Sequence, residues 1–305
     1  MTTNYTQFNP VQRRIVLAAL MIGLLVAGTS TLYAQTGVQS GTAPVNGTQL
    51  YYEMAGEGQP LVLIHGGAVD SRAWDDQFSE FAKHYRVVRY DLRGTGRSGD
   101  RDKPFDNAAD LYALLQYLKI TQAYLMGISR GGGFAYDFTL EHPDMAKALI
   151  LVSSNLSAGV PAYSAMFEAT TEAGKQSGAA AAAAVWGNDP HQGPRREEAR
   201  PKVLKIMEDN LPRFRYFGGY NPPPRGQSLS TGIPRSERLG EIKVPTLVIA
   251  GAYDNEVARG NYKRWADGIA GAKMIIFSES GHLVPIDEPE AFNRTVLEFL
   301  GNLNK

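Results

Sequence analysis

The sequence has no cysteine among its 305 residues. This absence excludes disulfides, thiolate metal ligands, iron–sulfur clusters, a catalytic thiol and a lipidated N-terminal cysteine, although it leaves the redox compartment open. An excess of one charge is also missing, because 31 Lys and Arg side chains are balanced by 31 Asp and Glu. A protein without a strong positive electrostatic field binds polyanions weakly, so we expect no nucleic-acid partner. Apolar residues are plentiful at 43% and can bury a large core.

A continuous apolar run lies close to the N-terminus. Arg13 and Arg14 precede residues 15–28, which are apolar throughout and are followed by a Thr/Ser-rich stretch that ends at Ala34. This layout is typical of a secretory signal peptide, here residues 1–34 with cleavage between Ala34 and Gln35. We therefore expect a secreted or periplasmic protein that meets the membrane only transiently, through its leader. The alternative is an uncleaved N-terminal membrane anchor, although the run is shorter than the roughly 20 apolar residues of a spanning helix.

The rest of the chain alternates between strand-like and helix-like patterns. Asn46-Gly47 predicts a hairpin turn between two short strands. Leu111, Leu114, Leu115 and Leu118 form one apolar stripe at helical spacing. Short, largely apolar runs of the kind expected for strands covered on both faces occur at 61–64, 87–90, 123–126, 149–152 and 246–250, with a sixth candidate at 274–277. Strands that alternate with helices predict an α/β fold, a parallel sheet with helices on both faces.

The alternation is interrupted between residues 156 and 238. A stretch of this length is too long for a plain loop. It contains an alanine run at 179–184, three prolines at 222–224 and seven aromatic residues: Tyr163, Phe167, Trp186, Phe214, Tyr216, Phe217 and Tyr220. We predict a mostly helical insertion that lies over one end of the sheet with an apolar underside. The alternative is a second structural layer with no role in binding.

A G-x-S-x-G motif provides the first chemical signal. The segment Gly127-Ile128-Ser129-Arg130-Gly131 follows the apolar run 123–126 and precedes a helix-like segment. This strand–turn–helix context is that of a nucleophile elbow, in which a side chain two residues either side of the serine would collide with its surroundings. The motif predicts Ser129 as a nucleophile, and an ordinary turn is the alternative.

A serine nucleophile needs a base and an acid that orients the base. Asp254 follows the predicted strand 246–250, and His282 follows the predicted strand at 274–277. The chain order Ser129, Asp254, His282 is the one expected for this architecture. Taken separately, Asp254 could be a turn or helix-capping residue and His282 an ordinary loop histidine.

Two backbone N–H groups should form an oxyanion hole. One is expected from Arg130, because it follows the nucleophile at a helix N-terminus. The other is expected from the loop His65-Gly66-Gly67-Ala68, with Gly67 as the first choice, since small residues let the backbone approach a bound carbonyl. His65 itself is predicted to brace the loop.

These segments together resemble the α/β-hydrolase family, in its cap-bearing branch. The resemblance rests on 63–67, 91–98, 127–132, 251–254 and 281–282. It implies a mostly parallel eight-stranded sheet with a cap inserted after the sixth strand. The hydrolase core would be 35–155 and 239–305, and the cap 156–238. Within 91–98, Arg93 and Ser98 are expected to be structural.

The resemblance also narrows the chemistry. Dehalogenases and epoxide hydrolases of the family carry aspartate at the nucleophile position, whereas this chain has Ser129. We therefore expect a serine hydrolase that acts on a small carboxylic ester or lactone and needs no cofactor or metal. The same triad serves enol-lactone hydrolases, aminopeptidases, carbon–carbon bond hydrolases and cofactor-free perhydrolases, and a catalytically inactive binding protein is the alternative from another class. Arg130 departs from the smaller or neutral residue common after the serine, and its side chain belongs either to the helix surface or to a site for a substrate carboxylate. The oligomeric state is left open.

Overall fold

The computed structural model describes residues 37–100, 105–156, 164–213 and 234–303. The predicted signal peptide lies outside these residues. So do five aromatic residues of the predicted insertion: Tyr163, Phe214, Tyr216, Phe217 and Tyr220. In the part of the chain that is described, no helix is long and apolar enough to cross a membrane.

Eight strands form one mixed sheet, in the spatial order β1-β2-β4-β3-β5-β6-β7-β8. The strands are β1 (Gln39–Val45), β2 (Thr48–Ala55), β3 (Pro60–Ile64), β4 (Arg86–Tyr90), β5 (Ala123–Ile128), β6 (Ala146–Val152), β7 (Thr246–Gly251) and β8 (Lys273–Phe277). The pairs β1–β2 and β2–β4 are antiparallel, and all other pairs are parallel. The predicted α/β fold with a mostly parallel eight-stranded sheet is confirmed.

The hairpin that opens the sheet forms at the predicted turn. Val45 pairs with Thr48, and the two residues between them, Asn46 and Gly47, have positive φ angles of 43° and 74°. Positive φ at both central positions is the requirement of a type I′ turn, whose twist matches that of the flanking strands. The Asn-Gly pair therefore sets the register of β1 on β2.

Helices connect the parallel strands. In the described residues they are α1 (Asp75–Phe81), α2 (Asn107–Tyr117), α3 (Arg130–Glu141), α4 (Ser164–Ser177), α5 (Ala179–Gly187), α6 (Arg200–Asn210), α7 (Glu256–Gly268), α8 (Val284–Asp287) and α9 (Pro289–Asn302). Leu111, Leu114 and Leu115 of α2 are fully buried, as their helical spacing predicts. Asp106 caps α2 by accepting the N–H groups of Ala108 and Ala109.

The sheet is not uniformly buried. Every residue of β5 and of β7 is buried, as expected for strands covered on both faces. The expectation that the run 274–277 is a similar strand is wrong in this respect. β8 lies at the edge of the sheet, and Ile275 and Ile276 are 38% and 60% exposed. Apolar composition therefore predicted the strand but not its edge position.

The segment after β6 is mostly helical where it is described. Helices α4, α5 and α6 pack in sequence, and the Phe167 ring of α4 meets the Trp186 ring of α5 edge to face at 5.1 Å. Val203, Ile206 and Met207 of α6 are buried. The described part of the predicted insertion thus has buried apolar side chains between its helices, and its position as a cap with an apolar underside stays a prediction.

Candidate active site

Ser129 occupies the turn between β5 and α3. Its φ and ψ angles are 54° and −118°, a conformation that non-glycine residues rarely adopt. The Ser129 N–H donates to the Val152 carbonyl on the neighbouring strand at 2.8 Å. The serine is half-buried, at the point where β5 passes into α3. This is the geometry of a nucleophile elbow.

The two motif glycines are required by close backbone contacts. A Cβ atom on Gly127 would lie 2.3 Å from the carbonyl carbon of Gly131, and one on Gly131 would lie 2.3 Å from the carbonyl oxygen of Ile64. Both obstacles are backbone atoms, which cannot move aside as a flexible side chain could. The spacing of the motif therefore has the steric cause that the sequence predicted.

Asp254 and His282 meet at the same edge of the sheet. They lie in the loops that follow β7 and β8, and the His282 Nδ1–H donates to Asp254 Oδ2 at 2.7 Å. Both residues are buried. Since Nδ1 is held by the carboxylate, Nε2 is the ring nitrogen available to exchange a proton with a reacting group.

Ser129 lies at this edge as well. β5, β6, β7 and β8 are neighbouring parallel strands, so the loops that follow them emerge on the same side. The loops after β7 and β8 are also tied together, because the Tyr253 N–H donates to the Ser280 carbonyl at 2.9 Å. The three residues singled out in the sequence are thus brought to one edge by the sheet topology.

The Asp254 carboxylate has two further donors. Its Oδ1 accepts the Asn255 N–H at 2.7 Å, and its Oδ2 accepts the Tyr262 hydroxyl at 2.5 Å. Burial alone would raise the pKa of Asp254, but the charge of His282 and the hydrogen bonds from His282, Tyr262 and Asn255 hold that pKa below its ordinary value. The carboxyl group is therefore an anion at neutral pH.

Tyr262 is a further residue at this site that was not predicted from the sequence. Ala258, Tyr262 and Trp265 of α7 are all fully buried, at the i, i+4, i+7 spacing of one helix face. That pattern would have placed the tyrosine in the core but would not have named its partner.

The loop after β3 runs beside the nucleophile. A Cβ atom on Gly66 would lie 3.4 Å from the Ser129 Cβ, an ordinary contact distance. His65 is fully buried and braces this loop, as predicted: its Nε2 accepts the Leu92 N–H at 2.9 Å, and its Nδ1–H donates to the Gly66 carbonyl at 2.8 Å. Gly67 follows and is half-buried. Its assignment as an oxyanion donor stays a prediction.

Arg130 begins α3, so its N–H lies at the positive end of a helix dipole. Its role as the second oxyanion donor also stays a prediction. The residue is exposed, and its guanidinium carbon lies 5.7 Å from the centre of the Phe134 ring.

Arg93 and Ser98 have structural contacts. The Arg93 guanidinium forms a buried pair with Asp110, with N–O distances of 2.8 and 2.9 Å. The Ser98 hydroxyl donates to the Asp91 carbonyl and accepts the Tyr51 N–H. These bonds tie the turn after β4 to α2 and β2.

The segment before α6, residues 191–195, contacts the loops that carry Asp254 and His282. The His191 carbonyl accepts the His282 N–H at 2.9 Å, and the His191 Nδ1–H donates to the Tyr253 carbonyl at 2.8 Å. The Arg195 guanidinium lies 3.6 Å from the centre of the Tyr253 ring and donates to the Glu279 carbonyl. These contacts could not be predicted from the sequence, because they depend on the path of the insertion.

Among the residues that the structure describes, no cluster of three or more His, Asp or Glu side chains is arranged to hold a metal ion.

Comparison with known proteins shows the same fold and related enzymes. The family model for the alpha/beta hydrolase fold matches residues 59–289. A 2-hydroxymuconate semialdehyde hydrolase of Pseudomonas sp. strain CF600 is 30% identical over 81% of this chain and 88% of its own length. A 2-hydroxy-6-oxo-6-phenylhexa-2,4-dienoate hydrolase of Comamonas testosteroni is 25% identical over 82% of this chain and 91% of its own. The crystal structure of an enol-lactonase from Burkholderia xenovorans LB400 superposes with a TM-score of 0.69, at 26% identity over 86% of this chain and all of the other.

Proposed function

Because this chain belongs to the α/β-hydrolase family, we propose that it is a serine hydrolase that cleaves a small carboxylic ester or lactone through an acyl-enzyme intermediate. The observation that carries the proposal is the buried contact between His282 Nδ1 and Asp254 Oδ2 at the sheet edge where Ser129 occupies its strained turn. A base held by an anionic acid, beside a serine on an elbow, is the arrangement that activates a hydroxyl.

The reaction follows from this arrangement. The Ser129 Oγ attacks the substrate carbonyl carbon while His282 takes the hydroxyl proton at Nε2. Asp254 keeps the imidazole in the required tautomer and stabilises the imidazolium that forms. The N–H groups of Arg130 and Gly67 bind the oxyanion. His282 then returns the proton to the leaving alcohol. In the second half, water gives a proton to His282 as it attacks the acyl carbon, and His282 passes that proton to Ser129 Oγ as the carboxylic acid leaves.

The relatives support hydrolysis of a small molecule and suggest two substrate classes. The enol-lactonase supports a lactone or ester. The 2-hydroxy-6-oxo-6-phenylhexa-2,4-dienoate hydrolase supports a second candidate, hydrolysis of a carbon–carbon bond in an oxo-dienoate, for which we propose the same three residues of this chain. Since attack on a carbonyl carbon is common to both, the two candidates differ in the leaving group and not in the roles of the residues.

The helical segment after β6 supports a limit on substrate size. The end of α6 is bound to the core beside the loops after β3 and β4, where the Asn210 side chain forms hydrogen bonds with Asp70 and Gly96. A cap held in this way should roof the site and exclude long chains. The predicted leader, residues 1–34, adds the proposal that the enzyme acts outside the cytoplasm.

The proposed substrate class is tested by a panel of p-nitrophenyl esters with acyl chains of two to sixteen carbons, together with a small lactone and a 2-hydroxy-6-oxo-dienoate. We expect kcat/KM for the acetate or butyrate to exceed that for the palmitate by about tenfold or more, because the exclusion is steric. Small lactones should compete for the same site. A profile that rises toward long chains would contradict the size limit, and turnover of the dienoate alone would favour the second candidate.

A further inference from the structure

Tyr262 places a phenol against the acid of the proposed triad. It lies on α7 and is fully buried. Its hydroxyl donates to Asp254 Oδ2 at 2.5 Å, and the same oxygen accepts the His282 Nδ1–H at 2.7 Å. One carboxylate oxygen thus serves both the base and the tyrosine.

Packing alone does not require a hydroxyl at this position. The Tyr262 ring belongs to the apolar core, where phenylalanine would bury nearly the same surface. A buried hydroxyl is unfavourable unless it has a hydrogen-bond partner, and an ionised acceptor makes that bond stronger. The bond to Asp254 is therefore a contact that tyrosine makes here and phenylalanine could not.

The bond affects both the orientation and the charge of the carboxylate. The Asn255 N–H holds Oδ1, and the Tyr262 hydroxyl and the His282 ring hold Oδ2, so the plane of the group is fixed from both ends. A donor on Oδ2 also takes up part of the negative charge that attracts an imidazolium. Without that donor, the same carboxylate would be freer to rotate and would hold a protonated His282 more strongly.

We propose that Tyr262 is a positioning residue for the hydrolysis, whose hydroxyl orients the Asp254 carboxylate and sets how strongly that carboxylate holds the imidazolium of His282. The inference rests on the proposed function, because it requires Asp254 and His282 to act as acid and base.

Other charged groups lie near this pair. In the loop that carries His282, the Gly281 N–H donates to Asp287 and the Ser280 hydroxyl donates to Glu288. From the segment before α6, His191 contacts Tyr253 and the His282 backbone, and Arg195 covers the Tyr253 ring. From the turns packed on α7, Arg235 is paired with Asp137 and Arg238 with Glu241. The charged residues of α7 near Tyr262 are exposed: Glu256, Arg259, Lys263 and Arg264. Of these groups, His191 is the histidine, and its carbonyl accepts the N–H of His282 itself.

The test is the pH profile of Tyr262→Phe on a small ester. We expect kcat to fall by about tenfold, with KM within about twofold of the wild type, because a charge-assisted bond is lost from the acid and not from the substrate. The acidic limb of kcat/KM should move upward by about half a pH unit, since the imidazolium is held more strongly. Titration of the active site with a phosphonate measures the concentration of competent enzyme, so that kcat is compared per functional site.

Site-specific 3-fluorotyrosine at position 262 gives a second test that preserves shape. Its more acidic phenol donates more strongly, so the acidic limb should move in the opposite direction, to lower pH. This variant decides the matter if Tyr262→Phe does not fold.

Two control variants test whether the loss of any buried hydroxyl, or the neighbouring His191, accounts for the shift in the pH profile. Tyr90→Phe removes the hydroxyl of another fully buried tyrosine, which has no hydrogen-bond partner among the described residues, and should leave the profile unchanged. His191→Gln removes the neighbouring titratable ring, and the shift caused by Tyr262→Phe should persist in that background.

The inference is wrong if Tyr262→Phe and the fluorinated enzyme both give the wild-type profile while Ser129→Ala is inactive. Full activity of Ser129→Ala would instead refute the proposed function itself. The two failures are therefore distinguishable in one set of assays.

Discussion

The backbone of Ser129 is held in an unfavourable conformation by its neighbours. A non-glycine residue at a φ of 54° and a ψ of −118° carries a strain of about 1–3 kcal/mol. The close passage of Gly127 against Gly131 and the bond to the Val152 carbonyl leave the serine no relaxed alternative. At the scale of single residues, the packing around the turn thus offsets the strain in the Ser129 backbone. The strained conformation in turn places the Ser129 hydroxyl at the edge of the sheet.

Asp254 is the residue whose chemistry is most sharply tested by a single substitution. Asp254→Asn keeps the shape of the side chain but removes the charge that stabilises the imidazolium. With its oxygen bound by the Asn255 N–H, the amide would also present an NH2 donor to His282 in place of the acceptor that selects the tautomer. We expect kcat to fall by about 10⁴-fold, with the fold retained. Steady-state kinetics and circular dichroism would measure the two effects. A loss under tenfold would mean that the orienting carboxylate lies elsewhere.

At the scale of elements, the end of α6 is fastened to two core loops by one amide. The Asn210 Nδ2 donates to Asp70 Oδ2 at 2.8 Å, and its Oδ1 accepts the Gly96 N–H at 2.7 Å. Asp70 follows the loop that carries Gly67, and it also accepts the Arg72 N–H at the start of the short turn Ser71–Trp74. The helix therefore braces the loop proposed to supply an oxyanion donor.

This bracing predicts a stability difference between two adjacent positions. Asn210→Ala would leave the half-buried Gly96 N–H without its acceptor and would remove one donor from Asp70 Oδ2, which Arg72 continues to bind. We expect a loss of about 2 kcal/mol in the free energy of unfolding, measured by urea titration. Asp209→Ala removes a partner of Arg72 and Lys205 at the surface and should lose less than about 1 kcal/mol. Equal losses for the two variants would show that the Asn210 contacts are dispensable.

At the scale of the whole molecule, the sequence predicts the sheet well because its strands are short apolar runs and its turns carry glycine at fixed positions. The proximity of Asp254 and His282 is also predictable, since both follow parallel strands and such strands end at one edge. The hydrogen bond from Tyr262 to Asp254 could not be predicted, because it depends on the angle at which α7 crosses the sheet. The contacts of His191 depend on the course of the insertion, and the exposure of Ile276 depends on the order of strands in the sheet. The pattern of apolar and polar residues therefore does not predict how elements that are distant in sequence are placed relative to one another.

The central claim, that Ser129 is the nucleophile, is tested most directly by intact-protein mass spectrometry after treatment with a fluorophosphonate. Ser153→Ala is the matched control, because Ser153 also directly follows a strand, has a positive φ of 46°, and has a hydroxyl with no hydrogen-bond partner in the described part of the chain. We predict one phosphonyl group per chain in the wild type and in Ser153→Ala, mapped by peptide sequencing to Ser129. Ser129→Ala should stay unlabelled and lose ester hydrolysis by about 10⁴-fold or more. Labelling at another residue, or undiminished hydrolysis by Ser129→Ala, would contradict the claim.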